Sequence, residues 1–237
     1  MEDGNMKALN VFNYAVVAIT GALILFFAIT RQQGFIKTLP TMVTLLVMLL
    51  NARANRYTFL LGGLNSLVYG YVYFCEGIYF SACSAILMSF PLQMLSFFNW
   101  KKHASDKTGT NFVCLSAKKT VLVLLSLIPA WAIAYFGLGT FIKGNFPVLD
   151  CYIFVAGILV TVLQTMRIVQ SPYINAVSCV LGLVMWGMIT AQSPENINYV
   201  FISLYNLIMV TEAAVVWTKK YKEQKALTDA QAVEVQA

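Results

Sequence analysis

The sequence predicts an all-α polytopic membrane protein of about eight transmembrane helices. Three observations carry that prediction: an apolar composition, apolar runs of membrane-spanning length, and basic residues confined largely to one side. The chain has 237 residues, 59% hydrophobic and 11% charged, with a mean hydropathy of +0.72. A soluble domain carries roughly a quarter charged residues, so a surface this apolar needs lipid as its solvent.

A helix crosses the hydrocarbon core with about 20 apolar residues. Eight runs qualify, at residues 11–30, 35–50, 57–75, 78–100, 120–142, 148–169, 173–192 and 196–217. Ahead of the first, Glu2 and Asp3 precede Lys7, so no basic leader stands there and the run is expected to stay in the protein. The second is short and contains Pro40. The fourth contains Pro91, which lacks an N–H and is expected to kink the helix and free carbonyls at mid-depth.

With eight crossings, Lys7, Arg53, Arg56, Lys101, Lys102, Lys107, Lys118, Lys119, Arg167, Lys219, Lys220, Lys222 and Lys225 fall on one side. Only Arg31, Lys37 and Lys143 fall on the other. Thirteen of the 16 basic residues on one side is a positive-inside pattern. It predicts two cytoplasmic termini, and losing any span but the first would scramble it; the membrane is expected to be the bacterial cytoplasmic (inner) membrane. The net charge of +6 then suits an anionic leaflet and needs no nucleic acid as partner. The tail 221–237 is polar and is expected to be disordered.

Aligning Trp100 with Trp217 also pairs Leu64 with Leu181, Tyr69 with Trp186, Gly70 with Gly187 and Leu87 with Leu204. Both copies end in an aromatic plus a basic cluster, NWKK and VWTKK. The predicted organisation is an extra N-terminal helix (1–34) and a first three-helix repeat (35–102). A basic loop with a linking helix (103–147) and a second repeat (148–220) follow. One linking helix gives both repeats the same orientation, the SWEET-like parallel arrangement of transporters with a midplane site between the halves.

Polar groups inside a membrane are costly unless they pair or face a cavity. Here they are Asn65, Gln93, Asn99, Gln164, Asn175, Asn206 and Glu212. Ser89, Gln93, Ser96 and Trp100 recur on one helical face, Asn65 and Tyr69 lie one turn apart, and Asn198, Tyr205 and Glu212 form a stripe beside Asn206. Each amide is either interhelical glue or a cavity contact. Trp100 and Trp217 suit an interfacial aromatic belt, and Glu212 and Arg167, near the same ends of their helices, suit a structural ion pair. A cavity of amides and rings fits a flat heterocycle bearing a hydroxylated sugar, with cation–π attraction if the ring is cationic. A strongly anionic ligand is disfavoured, because no midplane Lys or Arg is available to meet a phosphate.

No cofactor or metal site is expected. The five cysteines form no CxxC pair, and the lone His103 has no ligating partners in its basic loop. No acid pair or nucleophile–base pair recurs at helical spacing inside the membrane, which argues against an embedded enzyme.

The stretch NRYTFLLGGLNSLVYGYVYFCEGIYFSACSAILMSFPLQMLSFFNWKK (55–102) resembles the first repeat of the PnuC-type nicotinamide riboside transporter family. It shares the N-S-L-x-Y-G-Y run, a short loop with G-x-Y, a P-x-Q and a terminal Trp-Lys. Residues 164–220 resemble the second repeat more loosely. The resemblance implies parallel three-helix units joined by a linking helix, usually in a trimer. It also implies facilitated diffusion of a vitamin precursor that a cytoplasmic kinase then traps. Gln93 and Asn65 match the family's glutamine and asparagine. With Tyr69, Trp100, Gln164, Trp186, Tyr205 and Asn206 they are the expected substrate contacts. The second half departs, having Tyr173, Ala176 and Val180 where relatives often carry two tryptophans and an asparagine. Relatives that handle thiamine, riboflavin or deoxyribonucleosides therefore remain alternatives, as does a SWEET-like sugar carrier.

Overall fold

The computed structural model describes residues 2–105, 110–138 and 144–236, and every regular element among them is helical. We label the helices α1 (Glu2–Thr30), α2 (Phe35–Ala52), α3 (Tyr57–Cys75), α4 (Tyr79–Lys102), α5 (Ala117–Leu138), α6 (Pro147–Thr165), α7 (Ser171–Gln192) and α8 (Ile197–Gln236). All eight contain stretches long and apolar enough to span a bilayer. The end of the expected fifth span, together with Lys107 and Lys143, lies outside the described residues.

Six helices close a ring in the order α2, α3, α4, α6, α7, α8, with α8 packing back on α2. α1 lies outside the ring against α2 and α8, and α5 leans on α6. The apolar faces left outside, such as Ile19, Phe26 and Ile29 on α1 and Leu122, Ile128, Ile133 and Phe136 on α5, are what lipid would solvate.

Small residues let α3 and α4 approach closely. Gly62, Ser66 and Gly70 recur every fourth residue and are buried, the small-xxx-small pattern of packed membrane helices. A Cβ at Gly70 would stand 2.5 Å from Ile86 Cγ1. α2 and α6 end alike: Ala54 and Arg167 donate backbone bonds to the last-turn carbonyls of Asn51 and Gln164 (both 2.9 Å), and both donors are left-handed residues (φ 56° and φ 60°). Those turns stop the sixth span at Thr165 rather than at residue 169.

Pro91, where a kink was expected, is preceded by an irregular turn. Residues Ser84–Ser89 just before it form a π-helical stretch. The widened turn accommodates the missing N–H of the proline, and such stretches cluster at functional sites.

The tail is also a correction. α8 continues to Gln236, where a disordered segment was expected. Residues 221–236 contain no Gly or Pro and are rich in Ala, Glu, Gln and Lys, all strong helix formers. Gln224 anchors the extension: its Oε1 accepts from Phe112 N–H (2.8 Å) and its Nε2 donates to Phe112 O (3.1 Å). The loop holding Phe112 is itself tied down, because Val113 N–H donates to Arg167 O and Val169 N–H to Val113 O.

A polar cavity inside the helical ring

The ring encloses a cavity of about 310 Å³, walled by α2, α3, α4 and α6, with Asn175 contributed by α7. No Lys, Arg, Asp or Glu lines it. Its aromatic faces are Phe59, Tyr69, Tyr73 and Phe154.

The polar lining divides into two groups. The first is already satisfied. Asn65 Nδ2 donates to Pro40 O and to Thr44 Oγ1 (both 3.0 Å), and Thr44 in turn bonds Pro40 O (2.8 Å) and Tyr69 Oη (3.2 Å). Asn65 and Tyr69, one turn apart on α3, are thus joined through Thr44, which pins α3 against α2. The second group consists of the carboxamides of Asn51, Gln93, Gln164 and Asn175 and the hydroxyls of Ser84 and Ser89. Among the described residues none of these side chains has a protein hydrogen-bond partner. Buried polar groups seek partners, so four open amides facing one hollow make a site for a ligand rich in hydroxyls or amides, or for water.

Local structure aims these groups. The five-residue step from Ser84 to Ser89 in the π stretch keeps both serines on the cavity face, and one α-turn later Gln93 follows. The seam of small residues does the rest. A Cβ on Gly62 would overlap Gln93 Oε1, so the glycine leaves the space that the Gln93 carboxamide occupies.

Aromatic layers close both ends. At the end bearing the basic clusters, Trp100, Trp217 and Phe112 pack together with ring centroids 5.2–5.9 Å apart, and Phe59 of the cavity wall meets Trp100 edge-on at 4.8 Å. Trp100 Nε1–H donates to Gln164 O (2.7 Å) and Trp217 Nε1–H to Asn51 O (2.9 Å). Each indole therefore caps the final turn of α6 or α2. At the far end Tyr69 stacks on Tyr73 (5.4 Å), and Trp186 stacks on Tyr199 (4.2 Å) behind them. Beyond lies a cluster in which Lys37 Nζ meets Glu76 Oε1 at 2.6 Å and Asn196 Nδ2 donates to Glu76 Oε2 at 2.7 Å. It ties α2, α3 and the α7–α8 turn together.

Of the eight expected contacts, Asn65, Tyr69, Gln93 and Gln164 line the cavity; Trp100, Trp186, Tyr205 and Asn206 do not. Trp100 is fully buried in the aromatic layer, which also corrects the belt reading for it and for Trp217. Trp186 is screened from the hollow by Tyr73, 6.1 Å away. Tyr205 spends its hydroxyl on Leu45 O (2.7 Å), clamping α8 to α2. Asn206 lies on α8, which contributes nothing to the wall. The Glu212–Arg167 pair does not form: Glu212 Oε1 accepts from Asn13 Nδ2 of α1 (2.7 Å), and Arg167 Nη1 donates to Asn111 O (2.8 Å).

Asn51, Tyr73, Ser84 and Thr161 also line the cavity and were not singled out from sequence. Tyr73 follows Tyr69 by one turn and could have been found. Asn51 lies just past the expected end of the second span, and Ser84 sits where a π turn breaks the 3.6-residue period.

A family model described as nicotinamide mononucleotide transporter matches residues 34–219, from the start of α2 to just past Trp217. The chain belongs to the nicotinamide mononucleotide transporter (PnuC) family. It is therefore a multi-pass membrane protein with the fold and family of a transporter. A search of curated proteins gives no match. Among solved structures, the crystal structure of the vitamin B3 transporter PnuC is similar, with a TM-score of 0.79 and 16% identity over 90% of this chain and 92% of that one. At that identity the likeness establishes the shared fold. The family match leaves out α1, which packs outside the ring.

Proposed function

We propose that this protein carries nicotinamide riboside, or a closely related nucleoside-like vitamin precursor, through the cavity inside the helical ring. The observation that carries the reading is the lining itself: four open carboxamides beside the rings of Tyr69 and Tyr73, with no basic side chain. Amides suit the hydroxyls and carboxamide of a riboside, and ring faces suit a flat cationic heterocycle. A mononucleotide would bring a phosphate that no Lys or Arg of the lining could meet. The volume lies at the small end of ligand pockets, roughly 300–1,000 Å³, as expected for a small nucleoside.

In this reading transport is facilitated diffusion, made one-way by phosphorylation of the substrate in the cytoplasm. α2–α4 and α6–α8 act as two parallel three-helix units joined by α5. The matched ends of α2 and α6 and the paired indoles of Trp100 and Trp217 support that division. The protein works as a homotrimer in the bacterial cytoplasmic membrane with both termini inside.

Uptake into proteoliposomes tests this. Saturable entry of nicotinamide riboside without a proton or sodium gradient, and no entry of the mononucleotide, is the expected result. Entry of the mononucleotide at an equal rate, or strict dependence on an ion gradient, would overturn it.

A further inference from the structure

Asp150 is a charged group set directly behind the cavity wall. It sits in the first turn of α6 and is 1% exposed. Ile153, Phe154, Gly157, Thr161 and Gln164, which follow it at helical spacing, all line the cavity, so Asp150 occupies the far end of the same helical face. Its Oδ2 accepts from Phe80 N–H (2.9 Å), and its Oδ1 accepts from Ser81 N–H (3.0 Å) and from the Ser81 hydroxyl. Ser81 is itself a wall residue. One side chain therefore separates the carboxyl group from the hollow.

Three donors face this group and no acceptor does, which is the surrounding of a carboxylate. Among the described residues no cation pairs with it. Its charge is offset only by the dipoles of those donors and by the first turn of α4, whose N–H groups without intrahelical partners it caps. No charged residue of the lining cancels its field inside the cavity, and that field acts through a medium of low dielectric.

We propose that Asp150 sets the charge preference of the cavity, favouring a ligand whose ring bears a positive charge over a neutral ligand of the same shape. Asp150 is a specificity-determining residue that acts through space. The proposal rests on the reading of the cavity as the nucleoside site. It differs from a purely structural role, in which Asp150 only fastens α4 to α6, because fastening treats both ligands alike.

The test compares binding of nicotinamide riboside, a pyridinium cation, with its ring-reduced dihydropyridine form, which is neutral, by calorimetry on the purified full-length protein. Wild type should bind the cation about tenfold more tightly. Asp150→Asn, or Asp150→Ser should the first fold poorly, should remove most of that preference while shifting affinity for the neutral form by less than about twofold. Ser81→Ala keeps the carboxylate and should keep the preference. Equal wild-type affinity for the two forms overturns the proposal whatever the variants do. Equal weakening of both ligands in the Asp150 variants reduces the residue to a helix fastener. Binding of neither form by wild type would instead sink the substrate reading, and this proposal with it.

Discussion

Replacing Gly62 with alanine should weaken ligand binding without unfolding the protein. The added methyl would overlap Gln93 Oε1, the far end of a flexible side chain, so the carboxamide can swing away rather than force the helices apart. The next neighbour, Val47 Cγ1, stands at an ordinary 3.4 Å. Alanine is also the better helix former by about 1 kcal/mol in water, so the fold is expected to hold its melting temperature. Binding loses one neutral amide hydrogen bond, about 0.5–1.5 kcal/mol, which corresponds to a drop in affinity of about 2- to 13-fold. Calorimetric titration of nicotinamide riboside into Gly62→Ala, Gln93→Ala and the double variant separates the causes. If the methyl acts by displacing Gln93, the double variant should bind no more weakly than Gln93→Ala alone. Additive losses, or an unchanged affinity in Gly62→Ala, would refute the argument that this glycine exists to seat the Gln93 carboxamide.

Trp100→Phe should lower the melting temperature modestly, because Gln164 O loses the indole donor and keeps only Arg167 N–H, at a cost of about 0.5–1.5 kcal/mol, while riboside affinity changes little; a large loss of affinity with normal stability would return Trp100 to the site. Glu212→Gln should be neutral or stabilising, since a glutamine amide can donate to Asn13 Oδ1, which is buried without a partner; Glu212→Ala should destabilise, and equal destabilisation by both would show that the carboxylate charge is needed. Lys37→Glu and Glu76→Lys should each lower thermal stability, and the double exchange should recover part of the loss, as expected of a close pair with side chains only 26% and 12% exposed; no recovery would mean that Asn196 and the surrounding turns hold this end without the ion pair. Truncation after Leu227 keeps Gln224 and should leave stability unchanged, whereas truncation after Tyr221 should lower it.

The membrane-spanning elements were legible because each depends on a local property. A run of apolar residues is readable wherever it occurs, and most described helix ends fall within a few residues of those runs; the exceptions are the start of α1 at Glu2 and the end of α8 at Gln236, where the helix continues into polar sequence. Positions that depend on how helices meet were not. Trp100 and Trp217 look like belt residues by sequence because both precede lysines at a span end; only the closed ring turns them inward, where their indoles cap α6 and α2. Gln93 and Gln164 were found because an amide inside a membrane needs a partner or a cavity. The same rule flagged Asn206, whose helix instead packs against α2 and α7 away from the hollow. The repeat alignment placed Trp186 opposite Tyr69, yet the wall is lopsided: α7 gives one lining residue and α8 none.

The most direct test is an experimental structure determined with nicotinamide riboside bound. The account predicts the pyridinium ring against Tyr69 or Tyr73 and the ribose hydroxyls within hydrogen-bond distance of Gln93, Gln164 or Asn175. Ligand seated outside the ring of α2–α4 and α6–α8, or a cavity holding only water at saturating riboside, would contradict it.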